Sequence, residues 1–486
     1  MTEFIRIYLS TFGVLFWIDL IFAFIVIFKE KKPATSTILW VMVIFLFPVI
    51  GVIFYLMIGI DMTKSRSFRE KDISFGKIYP QDLERIEAIN AGSYNYHDIK
   101  SYDYQSLIKL LSNNSLSRYN EHNKVDVFYD GVSLKDDMLR ELKKAKNSIY
   151  MQAYIIKSGD FFDEIKEVLI EKAKAGLDVK VLVDGMGGRN LRLRDRIELR
   201  ENGVKLGIFF PPFLGNLNVR MNFRNHRKVI VIDSKVGYVG GFNIGDEYID
   251  MSKRFGQWRD THLKVQGEAV NDLTTRFYLD YKFATGDDCG CYQSYIYDGE
   301  ADYNVAMNII SSGPDNELEQ IRDGFSKMIE SATSRIYIQT PYFIPDEGLF
   351  KSLRMAAYSG VDVKIMVPKK PDHPFVKSAS RSHLAELMKY GAEVYYYETH
   401  GFLHSKMILI DNFVSTVGTA NFDIRSFALN FEVNAFMYDY GINNDLAKQF
   451  EEDMKKSEKY SMEKYNNRKI YSRMAESISR LLSPIL

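Results

Sequence analysis

The sequence predicts an α/β protein of two homologous halves, each a mixed sheet flanked by helices, preceded by an N-terminal transmembrane helical hairpin. Three observations carry that expectation. Two long apolar runs open the chain, at about residues 4–28 and 37–59. A strand–helix–strand pattern then appears twice, offset by 178–188 residues. Each copy ends in one frame of chemistry-bearing residues: His226-Arg227-Lys228, four apolar residues and Asp233, then His404-Ser405-Lys406, four apolar residues and Asp411.

The hairpin follows from length and charge. Phe4 to Phe28 is interrupted only by Arg6 and Asp19, and Thr37 to Gly59 carries no charge. Each run reaches the roughly 20 residues a bilayer span needs. The tight polar turn Lys29-Glu30-Lys31-Lys32-Pro33 joins them. No small-residue cleavage site follows the first run, so it does not read as a cleaved signal peptide. Asp19 is costly in hydrocarbon; it reads either as functional or as a hydrogen-bonded residue facing the second helix. Lys64, Arg66, Arg69 and Lys71 flank the second run. By the positive-inside tendency they place the catalytic part in the cytoplasm. Residues 61–120 are polar and partly helical, a connector.

The repeat defines the halves, 121–300 and 301–486. Ala145-Lys146-Asn147-Ser148-Ile149-Tyr150-Met151-Gln152 matches Ala332-Thr333-Ser334-Arg335-Ile336-Tyr337-Ile338-Gln339. Gly176-Leu177-Asp178-Val179-Lys180 matches Gly360-Val361-Asp362-Val363-Lys364. A near-constant offset means duplication. Phe161 to Ala175 has helical spacing of apolar residues and Val179 to Val183 is a β-branched strand, an alternation that reads as α/β.

The chemistry sits at the repeated frame. Val229 to Ile232 reads as a buried strand, so His226 and Lys228, two apart, point the same way. Asp233 and Asp411 complete the two sets at the strand ends, where they support the site rather than attack. Seven residues on, each copy has Gly-x-x-Asn, Gly240 to Asn243 and Gly418 to Asn421. These glycines let backbone approach a phosphate, and Asn243 and Asn421 add donors. Thr419 offers a hydroxyl that Gly241 lacks. A phosphodiester needs a nucleophile, an acid for the leaving oxygen and cations for its oxygens. His226 and His404 fill the first two roles, Lys228 and Lys406 the third. Glu247 and Glu432, after the two turns, either orient the histidines or make plain salt bridges. No carboxylate or cysteine stands at ligand spacing beside either histidine, so no metal or other cofactor is expected. Neither half is complete alone, so the two should face each other across one site.

These motifs resemble those of the phospholipase D superfamily. Three stretches narrow the resemblance to bacterial cardiolipin synthases: Asn222-Phe223-Arg224-Asn225-His226-Arg227-Lys228, Gly240-Gly241-Phe242-Asn243-Ile244-Gly245-Asp246-Glu247-Tyr248, and Trp258-Arg259-Asp260-Thr261-His262. The resemblance implies a cell-membrane enzyme opening with such a hairpin, with phosphatidylglycerol and cardiolipin as lipid partners. It implies two phosphatidylglycerols giving cardiolipin and glycerol through a phosphohistidine. It also favours His226 as nucleophile and His404 as acid. Locally, Gly240-Gly241 leaves room beside His226 for a bulky phosphatidyl group. A different phospholipase D-type transferase or lipid hydrolase, and a lipid-binding scaffold with a dead site, are the alternatives. Equal numbers of basic and acidic residues, 63 each, speak against nucleic acid as partner.

Four features lie outside that frame. Cys289-Gly290-Cys291 is too close a pair for a structural staple and reads as free thiols. Phe209 to Gly215 reads either as a loop touching lipid or as a buried crossover. Tyr471 to Leu486 reads either as a membrane-surface segment or as docked on the second half. His262 is either a substrate contact or structural, and His97, His122, His373, His383 and His400 are not expected in the chemistry.

Overall fold

A computed structural model describes residues 2–28, 34–59, 80–115, 117–211, 222–252, 254–287, 303–370, 374–397 and 401–482. Cys289, Cys291, His373 and His400 fall outside these residues.

The opening apolar runs form helices Thr2–Phe28 and Ala34–Leu46. The second run is not one continuous helix. It breaks at Phe47–Val49, where Pro48 supplies no N–H and Val49 takes a φ of 68°, then resumes as Ile50–Phe54 and a π-turn Tyr55–Gly59. Val26, Trp40, Ile44, Val52 and Tyr55 pack the two runs together. Asp19 is buried between them and accepts the Val49 N–H. The side chains described in the first helix begin at Gly13, and among the described residues no helix is long and apolar enough to cross a membrane. The pair does turn an apolar face outward: Phe16, Trp17, Phe24, Ile38, Met42 and Leu46 are exposed.

Of the residues expected to form a connector, the described helices pack in the core of the second half. Helices Pro80–Ala91 and Gln105–Ser115 bury Ile89, Leu107, Ile108 and Leu111 in one core with Phe325, Met328 and Phe436.

The duplication is visible strand by strand. The first half contributes β1 (Asn123–Asp130), β2 (Ser148–Ala153), β3 (Asp178–Asp184), β4 (Lys205–Phe209), β5 (Arg224–Asn225), β6 (Val229–Ile232), β7 (Val236–Gly240) and β8 (Gln257–Gly267). The second contributes β9 (Ala306–Ser312), β10 (Arg335–Gln339), β11 (Phe343–Ile344), β12 (Asp362–Pro368), β13 (Glu393–Tyr397), β14 (Gly401–Leu403), β15 (Met407–Ile410), β16 (Val414–Gly418), β17 (Phe422–Asp423), β18 (Asn430–Tyr438) and β19 (Ser457–Lys459). The sheet order β1-β8-β7-β6-β2-β3-β4 recurs as β9-β18-β16-β15-β10-β12-β13. In both, the strands before the helical crossovers run parallel and the motif hairpin adds antiparallel.

Strand alternation decides what each face meets. Val229 and Val231 face a core shared with Met407, Leu409, Phe431 and Val433 of the other half. Ile230 and Ile232 face their own half's helices. Both faces are therefore buried, as an uninterrupted apolar run requires.

Two short strands tie the halves together. β5 leaves the first half and pairs in parallel with β18, Asn225 opposite Phe431. β14 leaves the second half and pairs in parallel with β8, Leu403 opposite Arg259. Buried charges reinforce the exchange. Arg227 donates to both Asp280 oxygens at 2.7 and 2.6 Å and to the carbonyls of Glu432 and Ser312. Arg259 reaches across to Asp453 at 2.8 Å.

Phe209 and Phe210 are buried against Phe283 and Phe431; Pro212 to Gly215 lie outside the described residues. The C-terminal helix Ile470–Leu482 docks on helix Pro374–Met388 of the second half, with Arg480 3.6 Å from Glu386. Its other face leaves Ile470, Tyr471 and Met474 exposed.

Candidate active site

The strand exchange fixes the site. One residue past each exchanged strand stands a motif histidine, and its backbone N–H continues the pairing: His226 to the Phe431 carbonyl at 2.9 Å, His404 to the Arg259 carbonyl at 2.7 Å. The next residue on each partner strand is a carboxylate. In register, Glu432 faces His226 and Asp260 faces His404. Nδ1 of His226 lies 3.0 and 2.9 Å from the two Glu432 oxygens. Nδ1 of His404 lies 2.6 Å from Asp260. Each histidine is thus held by the opposite half. With Nδ1 donating to a carboxylate, the assigned tautomer leaves the Nε2 lone pair free.

The lysines close the cluster. Lys228 donates to the His226 carbonyl at 2.7 Å, and the Lys406 ammonium stands 2.7 Å from Nδ1 of His404. Tyr154 lies edge-on to His226 at 5.0 Å between ring centroids, and Trp258 lies the same distance from His404. Each lysine acts electrostatically on the opposite half's histidine, so all four motif residues meet in one place.

Burial sets the charge states. It pushes the His226 imidazole below its ordinary range against the pull of Glu432. It lowers His404 to about 4, with Lys406 adding to the effect. It brings Lys228 down to about 7, helped by Lys406. The carboxylates go the other way: burial opposes ionisation, but Lys406 and His404 hold Asp260 low, and His226 and Lys228 hold Glu432 low. The site therefore holds two neutral imidazoles on two anionic carboxylates beside two lysines, of which Lys228 titrates near neutrality.

The remaining residues sort differently from expectation. Asp233 and Asp411 do not touch the histidines. Each sits at the far end of its motif strand and caps the start of a neighbouring one. Asp233 accepts the N–H groups of Lys146, Asn147 and Ser148 at 2.7–2.8 Å. Asp411 accepts those of Thr333 and Ser334 and the hydroxyl of Tyr104. They fix the hairpin that carries the lysines, and the odd spacing follows from that task. Glu247 pairs with Lys157 at 3.2 Å rather than with a histidine.

The glycines make room for protein, not for lipid. A Cβ on Gly240 would lie 2.5 Å from His262, and one on Gly418 would lie 2.3 Å from Asn434, the residues opposite them on the next strand. The Gly241 and Thr419 N–H groups both bond to the neighbouring strand. A Cβ on Gly241 would stand 1.9 Å from Asp260. Gly241 is therefore the space in which the carboxylate of Asp260 turns toward His404. In the second half Thr419 stands there, its hydroxyl taking the Val433 N–H at 2.9 Å, and the longer Glu432 reaches past it.

Asn243 and Asn421 are both buried. Asn243 accepts the Ile155 N–H and lines a cavity with Gln152, Lys228 and His262. The Asn421 side-chain oxygen has no hydrogen-bond partner among the described residues.

His262 is buried and held near 3 by that burial. His262, His404 and His226 all take protons in the unfolded chain below about 6.5 but stay neutral in the fold. The unfolded state then binds more protons, so stability falls as pH drops from about 6.5 toward 4. Thermal melts across that window should show the fall, and His262→Gln should make it shallower, with His404 and His226 keeping the rest.

Asp260 carries no signal of its role in one half alone. The signal available was its place relative to Glu432: both stand near the start of the long strand that follows the Gly-x-x-Asn turn, Gln257–Gly267 and Asn430–Tyr438. Arg227, Arg259, Asp280 and Asp453 were likewise silent.

Comparison with known proteins follows the same division. A family model described as cardiolipin synthase, PLD-like domain matches residues 138–256 and 325–454, and one described as phospholipase D-nuclease N-terminal matches residues 11–59. The chain is 44% identical over 478 residues to the major cardiolipin synthase of Bacillus subtilis, covering 97% of this chain and 98% of that one. It is 43% identical to cardiolipin synthase 2 of Staphylococcus epidermidis over 97% of this chain and 96% of that one. It is also 43% identical to the cardiolipin synthase of Oceanobacillus iheyensis over 98% of each. Among solved structures, the phosphatidylserine synthase of Haemophilus influenzae superposes with a TM-score of 0.60 at 16% identity, over 80% of this chain and all of that one, a likeness of fold.

Proposed function

The chain belongs to the cardiolipin synthase family of phospholipase D-like proteins, and from that premise we propose that it transfers a phosphatidyl group from one phosphatidylglycerol to another, giving cardiolipin and glycerol. The observation that carries this reading is the reciprocal bracing of His226 by Glu432 and His404 by Asp260. It leaves both imidazoles with a free Nε2 atom in one site shared with Lys228 and Lys406.

In this mechanism Nε2 of His226 attacks phosphorus, and the bond to the departing glycerol oxygen breaks. Attack makes the ring cationic, and the two Glu432 oxygens on Nδ1 stabilise that charge. His404 protonates the leaving oxygen. His404 takes that proton from solvent as the substrate binds: burial and Lys406 disfavour the charged ring, and the anionic phosphate beside it offsets them. In the second step the hydroxyl of another phosphatidylglycerol loses its proton to His404 and attacks phosphorus, freeing His226. The assignment of attack to His226 rests on its carboxylate being doubly engaged, whereas an ammonium crowds the same nitrogen of His404. Lys228 and Lys406 neutralise the phosphoryl oxygens, and Asn243 and Asn421 border them.

We place the helical pair 2–59 in the cell membrane, where its outward apolar side chains meet lipid, with the catalytic part on the cytoplasmic side. Thin-layer analysis of products from labelled phosphatidylglycerol tests the activity: cardiolipin and glycerol are expected, and phosphatidic acid alone would make the protein a lipid hydrolase. Exhaustive chelation should leave turnover of purified, lipid-supplied enzyme intact, because the lysines carry the charge that a metal would. Complete loss restored by one specific cation would contradict this.

A further inference from the structure

Beside the four motif residues lies a second basic group that the chemistry above does not use. Arg224 precedes His226 by two residues on the exchanged strand, so the two share a face, as do His226 and Lys228. Arg425 comes from the second half and donates to both the side chain and the backbone carbonyl of Asn222, at 3.1 and 3.2 Å. Arg189 stands exposed on the turn Gly187–Asn190 that follows β3. Both of the other guanidinium groups lie within electrostatic reach of Arg224, and burial together with Arg425 and Arg189 drives Arg224 below its ordinary range.

Tyr154 links this group to the catalytic one. Its ring packs on His226 at 5.0 Å and lies 5.7 Å from the Lys228 ammonium, while Arg224, Arg425 and Arg189 all act on its hydroxyl. Among the described residues two carboxylates face the arginines: Asp184 faces Arg224 and accepts the N–H groups of Asn225, Met186 and Gly187 at 2.8–3.1 Å, and Asp423 faces Arg425. Three guanidinium groups against two carboxylates favour a further anion. Arginine, with its planar fork, is the side chain suited to hold a phosphate oxygen pair.

We propose that Arg224, Arg425 and Arg189 form the binding place for a second phosphodiester, the one the acceptor lipid keeps. The proposal rests on the reading that the acceptor is itself a phosphatidylglycerol. Its attacking hydroxyl and its own phosphate are separated by a three-carbon bridge. Two residues along an extended strand span roughly 7 Å, so a phosphate held at Arg224 brings the hydroxyl end of that bridge to His226. The site then selects acceptors carrying a phosphate over water or free glycerol.

The test compares two acceptors at one donor. Cardiolipin formation uses the phosphate-bearing acceptor; exchange of labelled glycerol into phosphatidylglycerol uses one without a phosphate. Both require the same first step. In Arg425→Gln and in Arg189→Gln, measured in the full-length enzyme in phosphatidylglycerol vesicles, the ratio of cardiolipin formation to glycerol exchange should fall about tenfold, the loss of one charge-assisted bond. An unchanged ratio, whether both rates hold or both fall together, overturns the proposal. Arg189→Gln is the variant least exposed to misfolding, since the side chain is on the surface. Absence of cardiolipin from the unaltered enzyme, with exchange intact, would instead fail the parent reading of the acceptor.

Discussion

Alanine at His226 or at His404 is expected to abolish cardiolipin formation, lowering kcat by on the order of 10⁴-fold or more. Each half supplies one of the two groups, so neither loss is covered by the other copy. Folding should survive, because each carboxylate left behind keeps a cation: Lys228 acts on Glu432, and Lys406 lies 3.9 Å from Asp260. Turnover assays on variants with unchanged far-UV spectra check this. Near-normal turnover from either variant would end the account of one site shared by two halves.

Gly241→Thr is the second change with a large expected effect, although it leaves every motif residue in place. The new Cβ would occupy the position of the Asp260 carboxylate, which also accepts the Thr261 N–H at 2.8 Å and so cannot swing away freely. Overpacking of this kind costs about 1–3 kcal/mol of stability. Loss of the group that orients His404 should lower kcat by on the order of 10²–10⁴-fold. The second half shows the compensation, since Thr419 coexists with the longer Glu432. The double variant Gly241→Thr with Asp260→Glu should therefore recover a large part of the activity. A single variant with unaltered kcat, or a double variant no better than the single, would show that Gly241 has another purpose.

Much of this molecule was legible in its sequence because the information was local or repeated. The buried strand 229–232, the shared face of His226 and Lys228, and the two sheets with one strand order follow from alternation and from the offset of the two copies. What the sequence hid was carried by contacts across the halves. β5 and β14 are two and three residues long, too short to leave a periodic pattern, yet their register alone assigns Glu432 to His226 and Asp260 to His404. Of two acidic residues weighed for that task, Glu432 reaches a histidine and Glu247 reaches a lysine. Asp233 and Asp411 stand in the motif because they cap neighbouring strands, a reason visible only once β2 and β10 lie beside them. The glycine pair near His226 suggested space for a lipid. That space is taken by His262 and Asp260, because a glycine in a strand records close approach without saying of what. The second apolar run breaks at Pro48, a residue that marks a kink in water and in lipid alike.

Trapping the intermediate tests the account's central claim most directly. Enzyme quenched during turnover of phosphatidylglycerol labelled in its phosphate should carry a covalent, acid-labile label, and digestion should place it on the peptide containing His226. Label on the peptide containing His404, or no acid-labile label at any point in turnover, would contradict attack by His226.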